Sequence, residues 1–183
     1  PVAEFNVFAD PHALERVLAA GMRVELILLD AFDRVVVDPP VFLAALAGRG
    51  GAVGALLARI LRPYFASLAE FDTGIPSLPD VAAAVYALYP ELGAAVPALV
   101  RVITQRGYAY GQTIIGATPS DRLRLVVGDE ELNALADEAL ASGRDLAAAI
   151  RELQARAPDN ALVVHDVDGA RMAEVLMELL CTP

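Results

Sequence analysis

The sequence predicts an α/β protein built on a mostly parallel, helix-flanked sheet, and three observations carry that expectation. Residues 22–30 (MRVELILLD) are a short, nearly continuous apolar run, the pattern of a strand covered on both faces. Just before it, Asp10-Pro11 supplies a capping side chain followed by a proline at the first helical position, and Gly21 supplies a stop. Residues 1–9 are already apolar and strand-like, so strand, helix and strand follow one another within the first thirty residues, the order of an α/β unit. The opening has no polar lead-in, and the sequence is therefore expected to enter such a unit partway, as a chain truncated at its N-terminus.

The remaining elements follow from local signals. Pro39-Pro40 breaks the chain before a short helical stretch at 41–47, and Gly50-Gly51 breaks it again. Residues 52–71 place Leu56, Leu57, Ile60, Leu61, Phe65 and Leu68 at helical spacing, with Pro63 expected to kink or divide the helix. Turn formers crowd 72–79 (DTGIPSLP), a predicted loop, and 80–88 reads as an alanine-rich buried helix closed by Pro90. Short strands are predicted at 100–104, 113–116 and 123–127, then amphipathic helices at 129–141 and 144–157, split by Ser142-Gly143. A last strand at 161–165 and a closing helix at 169–180 complete the chain, which shows no internal repeat and no linker. Residues 1–183 are expected to form a single domain.

Composition limits the function classes. Hydrophobic residues make up 56% of the 183, too many for a disordered chain, yet no run approaches the ~18 apolar residues of a membrane-spanning helix. All 14 basic residues are arginine against 24 acidic ones, a net charge of -10 that repels phosphate backbones and anionic membranes. The expected partner is a small molecule or a bound cation, with no nucleic acid and no membrane. The single cysteine, Cys181, excludes an intrachain disulfide and a thiolate metal cluster. Without a basic-then-apolar leader the chain reads as cytoplasmic.

Few side chains suit catalysis. His12 falls in the first turn of a predicted helix, and His165 ends a predicted strand beside Asp166, where a structural role competes with a site role. There is no G-x-S-x-G elbow, no G-x-G-x-x-G and no P-loop. Asp166 and Asp168 lack the rest of a calcium loop and read as a turn. The opening PVAEFNVFADP is more informative. On a strand, Glu4 and Asn6 would share one face with Phe5 on the other, and a carboxylate beside a carboxamide accepts from and donates to several hydroxyls. The competing reading is an asparagine capping a turn beside a solvated glutamate.

The stretch Ala3-Glu4-Phe5-Asn6 followed by Asp10-Pro11 resembles the inosine–uridine nucleoside hydrolase family. The resemblance continues in order through 21–30, 74–92 (GIPSLPDVAAAVYALYPEL), 105–116 (QRGYAYGQTIIG, similar to an R-G-x-x-x-G-x-T pattern) and 164–180, which contains Val167-Asp168-Gly169-Ala170-Arg171. It is weakest over 31–70 and 117–160. It implies hydrolysis of the N-glycosidic bond of a ribonucleoside in purine or pyrimidine salvage, with calcium holding ribose hydroxyls and an attacking water. By position, Glu4 and Asn6 would bind ribose hydroxyls and Asp80 would be a calcium ligand.

Two departures from the family pattern limit the chemistry that the resemblance implies. The family's aspartate-rich motif, which supplies most calcium ligands and the general base, has no counterpart here, and one carboxylate cannot supply the six to eight oxygens calcium takes. The histidine that many members place before the aspartate, to protonate the leaving base, is replaced by Pro79, or by Leu78 one residue earlier. The base would be expected upstream of residue 1, so no catalytic residue is assigned, and the 183 residues alone are expected not to hydrolyse nucleosides. Two further expectations stand beside this one: a non-catalytic nucleoside- or ribose-binding relative, and an interaction module. The family reading also leaves a homo-oligomer or a complementing N-terminal half as the expected assembly. Tyr64, Tyr86, Tyr108 and Tyr110 are the aromatic candidates for stacking on a base, or core residues.

Overall fold

The computed structural model describes residues 2–70 and 76–181. In chain order its elements are α1 (Phe5–Ala9), α2 (Pro11–Ala19), β1 (Glu25–Ile27), α3 (Leu29–Phe32), α4 (Pro39–Arg49), α5 (Gly51–Glu70) and α6 (Pro79–Leu88). A 3-10 turn (Pro90–Leu92) leads into β2 (Gly93–Val102) and β3 (Thr113–Gly116). Then come α7 (Pro119–Val126), α8 (Asp129–Ser142), α9 (Leu146–Gln154), β4 (Ala161–Val167) and α10 (Gly169–Cys181). The strands form one sheet in the order β1-β4-β2-β3. The helix-flanked α/β class is as expected, but the sheet is mixed in direction. β2 and β3 run antiparallel, with Leu99 opposite Gly116 and Val102 opposite Thr113, joined by the ten-residue loop 103–112 rather than by a crossover helix.

The chain divides into two compact units: Pro1–Leu26 with Val96–Val163, and Ile27–Ala95 with Val164–Pro183. In the first, Leu123, Val127 and Leu153 pack together with Leu135 and Ile150, joining α7, α8 and α9. The second has the larger core, in which Phe42, Leu46, Val164, Met172 and Leu176 are almost completely buried. There α4 and α5 are joined at Gly50, and Pro63 sits inside the unbroken 20-residue α5. Among the described residues no helix is long and apolar enough to cross a membrane.

Three strand expectations fail for identifiable reasons. Of the strand expected at 1–9, the described residues 2–9 do not form one: Glu4, itself extended (φ -62, ψ 148), caps a helical turn by accepting from the Asn6 and Val7 amides. Residues 123–126 are helical and Val127 is the extended cap after them, because Thr118 and Asp121 close a capping box around Pro119 and only Leu123 of α7 is buried. Residues 22–30 yield a strand of three residues, after which the chain turns into α3 and buries Ala31 and Phe32. The predicted strand at 100–104 begins earlier, at Gly93, and ends at Val102. The loop expected at 72–79 lies partly outside the described residues; of it, Ser77 makes an isolated antiparallel bridge with Val36, and Pro79 starts α6.

Candidate functional site

In the first unit the structure joins Glu4 and Asn6 by hydrogen bonds rather than by strand alternation. Glu4 Oε2 accepts from the Asn6 amide at 2.9 Å and the Val7 amide at 3.2 Å, and Oε1 accepts from Asn6 Nδ2 at 3.1 Å. Both residues are exposed, and Phe5 between them is 78% exposed. Asp10 then caps α2 by accepting from the Ala13 amide at 2.9 Å, with Pro11 in the first turn as the sequence signal required.

The β2–β3 turn is the backing for this segment. Gly111 adopts φ +83, and a Cβ there would stand 2.9 Å from Phe8 Cα and 3.0 Å from Ala3 Cβ, so both its backbone angle and the closeness of α1 require glycine. Next to it, Tyr110 meets Phe8 edge to face at 5.8 Å. Two motifs a hundred residues apart in sequence, A-E-F-N and R-G-x-x-x-G-x-T, are thus packed against each other. Spacing alone gives no signal for this contact.

Asp80 belongs to the second unit. It occupies the first turn of α6, after Pro79, with its side chain exposed. The segment before it is anchored through Ser77, which is 6% exposed: Tyr64 Oη donates to the Ser77 carbonyl at 2.9 Å, and Ser77 Oγ donates to Asp33 Oδ1 at 3.4 Å. Burial, then the charges of Asp80 and Asp33, raise the Tyr64 phenol above its ordinary range. Asp33 is therefore a second carboxylate of this corner, missed in sequence because it lies 47 residues from Asp80 in a weakly patterned stretch. Leu78 and Pro79, where the resemblance would place a histidine, offer no proton.

These groups do not by themselves make a calcium site. Among the described residues, no three His, Cys, Asp or Glu side chains come together as metal ligands, and two carboxylates fall well short of calcium's six to eight oxygens. The other polar candidates have structural partners. His165 Nδ1 lies 2.9 Å from the Ala94 carbonyl, Asp166 pairs with Arg34, and Asp168 Oδ1 accepts from the Arg171 amide at 3.0 Å at the start of α10. His12 is exposed on α2, Cys181 is buried at the end of α10, and Tyr86 is a core residue.

Known proteins match this arrangement along most of the chain. The model of the family described as inosine-uridine preferring nucleoside hydrolase matches residues 1–174. The pyrimidine-specific ribonucleoside hydrolase RihA of Salmonella newport is 32% identical over 120 residues, which are 63% of this chain and 37% of that protein. The putative pyrimidine-specific ribonucleoside hydrolase RihB of Shigella boydii is 32% identical over 117 residues, 62% of this chain and 47% of that protein. Among solved structures, the plant nucleoside hydrolase PpNRh1 superposes with a TM-score of 0.73 at 22% identity, covering 100% of this chain and 49% of its own. The purine-preferring ribonucleoside hydrolase of Gardnerella vaginalis gives 0.70 at 19% identity, covering 98% and 46%. The chain thus spans less than half the length of these relatives, and the two structures bear on its fold. With the family model matched from residue 1 to residue 174, this chain belongs to the inosine-uridine preferring nucleoside hydrolase family.

Proposed function

We propose that the protein acts on ribonucleosides, with Glu4 and Asn6 holding ribose hydroxyls during hydrolysis of the N-glycosidic bond to free base and ribose. The observation that supports this reading most directly is the exposed, hydrogen-bonded Glu4–Asn6 pair in a chain of this family. Glu4 Oε2 is saturated by two amides, whereas among the described residues Oε1 keeps a free lone pair beside Asn6, whose Oδ1 and second Nδ2 hydrogen are also unspent there. The pair therefore retains acceptors and one donor side by side, the complement of a hydroxyl that donates and accepts at once. For calcium, the chain offers Asp80 as one ligand of a shell whose other oxygens the described residues do not supply.

The test is release of reducing sugar from inosine, uridine and cytidine by the purified protein in calcium-containing buffer, alongside calorimetric binding of the same nucleosides. The expected result is nucleoside binding by these 183 residues, with Kd raised in Glu4→Gln and Asn6→Ala, and base and ribose formation only when the further calcium ligands and the general base are supplied alongside them. Binding without any release from that completed assembly would replace hydrolysis by nucleoside binding alone. Absence of both binding and release would overturn the reading.

A further inference from the structure

The Glu4–Asn6 pair rides on a helix of five residues, far below the length at which a helix is stable unaided. Its shape must be imposed by what it touches. On one side the Tyr110 ring meets the Phe8 ring edge to face, centroids 5.8 Å apart at 86°, and the Arg106 guanidinium lies over the same tyrosine ring at 5.8 Å. Beside it Gly111 brings its backbone against Phe8 and Ala3. The turn that carries these groups is fixed in turn by the β2–β3 pair, since Gly111 N donates to Ile103 O at 2.8 Å and Ile103 N to Gln112 O at 2.9 Å. A continuous chain of contacts therefore runs from the sheet through Arg106, Tyr110 and Phe8 to the helix whose first amides Glu4 holds.

We propose that Tyr110 is a positioning residue for the ribose-holding pair: acting through Phe8, it fixes the direction in which Glu4 and Asn6 meet the sugar. This inference rests on the assignment of that pair to ribose. Tyr110 is matched to the role because its ring has a face for the guanidinium and an edge for Phe8, so truncation to alanine removes both contacts while phenylalanine keeps them.

The test compares Tyr110→Ala, Tyr110→Phe, Asn6→Ala and the Tyr110→Ala/Asn6→Ala double variant. Loss of one aromatic pair corresponds to a weakening of roughly threefold to tenfold, so Tyr110→Ala is expected to raise the Kd for a ribonucleoside by that factor while Tyr110→Phe stays near wild type. In the Asn6→Ala background the effect of Tyr110→Ala should shrink, the mark of coupling between the two sites rather than of general destabilisation. Amide exchange at Asn6 and Val7, read by NMR without nucleoside, should accelerate in Tyr110→Ala only. Unchanged Kd and unchanged exchange in Tyr110→Ala, with Asn6→Ala still impaired, would sink the positioning role and leave the ribose assignment standing. A wild-type protein that neither binds nor cleaves ribonucleosides would overturn the ribose assignment, a result obtained before any Tyr110 variant is measured.

Discussion

Replacing Gly169 with alanine places a methyl group where the backbone of Arg34 already lies. The new Cβ would stand 2.5 Å from the Arg34 carbonyl carbon and closer still to its oxygen, whereas ordinary contact begins near 3.4 Å. The chain must therefore retreat by roughly 1 Å, and the obstacle is main chain rather than a side chain that could swing away. Overpacking of this kind costs about 1–3 kcal/mol, with the upper end expected against backbone, and the better helix propensity of alanine returns at most about 1 kcal/mol. A net loss of about 2–3 kcal/mol corresponds to a fall in Tm of roughly 5–10 °C for a protein of this size. Gly48 is the matched control: it lies inside α4 with nothing within 4 Å of a built Cβ. Gly48→Ala should instead gain about 0.5–1 kcal/mol by removing glycine's backbone freedom. Thermal melts of both variants by circular dichroism decide the matter. A Gly169→Ala protein that melts at or above wild type, or two variants that shift in the same direction, would refute the packing argument.

Other expectations rest on single contacts. Asn160 acts as a strand mimic, its Oδ1 accepting from the buried Val100 amide at 2.8 Å and its Nδ2 donating to the Val100 carbonyl at 3.0 Å. Asn160→Ala should cost about 2–4 kcal/mol in urea unfolding by stripping both groups of their partner. The Thr118 side chain, then its amide, hold the Asp121 carboxyl below its usual range. A depressed native value stabilises above the unfolded pKa and is lost as pH falls through the native one, so Thr118→Ala should remove that acid-side dependence below about pH 4. For Tyr64 the sign is opposite: burial, then Asp80 and Asp33, raise the phenol, so its contribution is complete below its ordinary value of 10.0 and is lost as pH climbs through the native one. Asp80→Asn and Asp33→Asn should each lower the pH at which tyrosinate absorbance appears; no change in either variant would remove both carboxylates from the vicinity of Tyr64.

Much of this protein was determined by signals that act within one turn of chain. Asp10-Pro11, Asp38-Pro39 and the Asp168 cap start helices wherever they occur, because a side-chain oxygen satisfies a free amide and a proline needs none. The helices expected at 129–141 and 169–180 and the strand at 113–116 follow their patterns closely, and the helix expected at 144–157 forms over Leu146–Gln154. The family likeness, too, was legible in A-E-F-N…D-P and the collinear segments after it, and the match over residues 1–174 agrees. What tertiary structure decided is where apolar runs had two options. Residues 5–9 are as apolar as a strand, yet they coil because Glu4 spends its carboxylate on two amides and Gly111 leaves room for α1 against the β2–β3 turn, a partner a hundred residues away. Residues 123–127 read as a strand, yet a capping box and burial of Leu123 carry the helix as far as Val126. Pairing Asp33 with Asp80 around Tyr64, and Tyr110 with Phe8 beneath the candidate ribose pair, depends on long-range packing that no local pattern encodes. Periodicity and capping act between near neighbours, whereas a site is made by side chains that only the folded chain brings within reach.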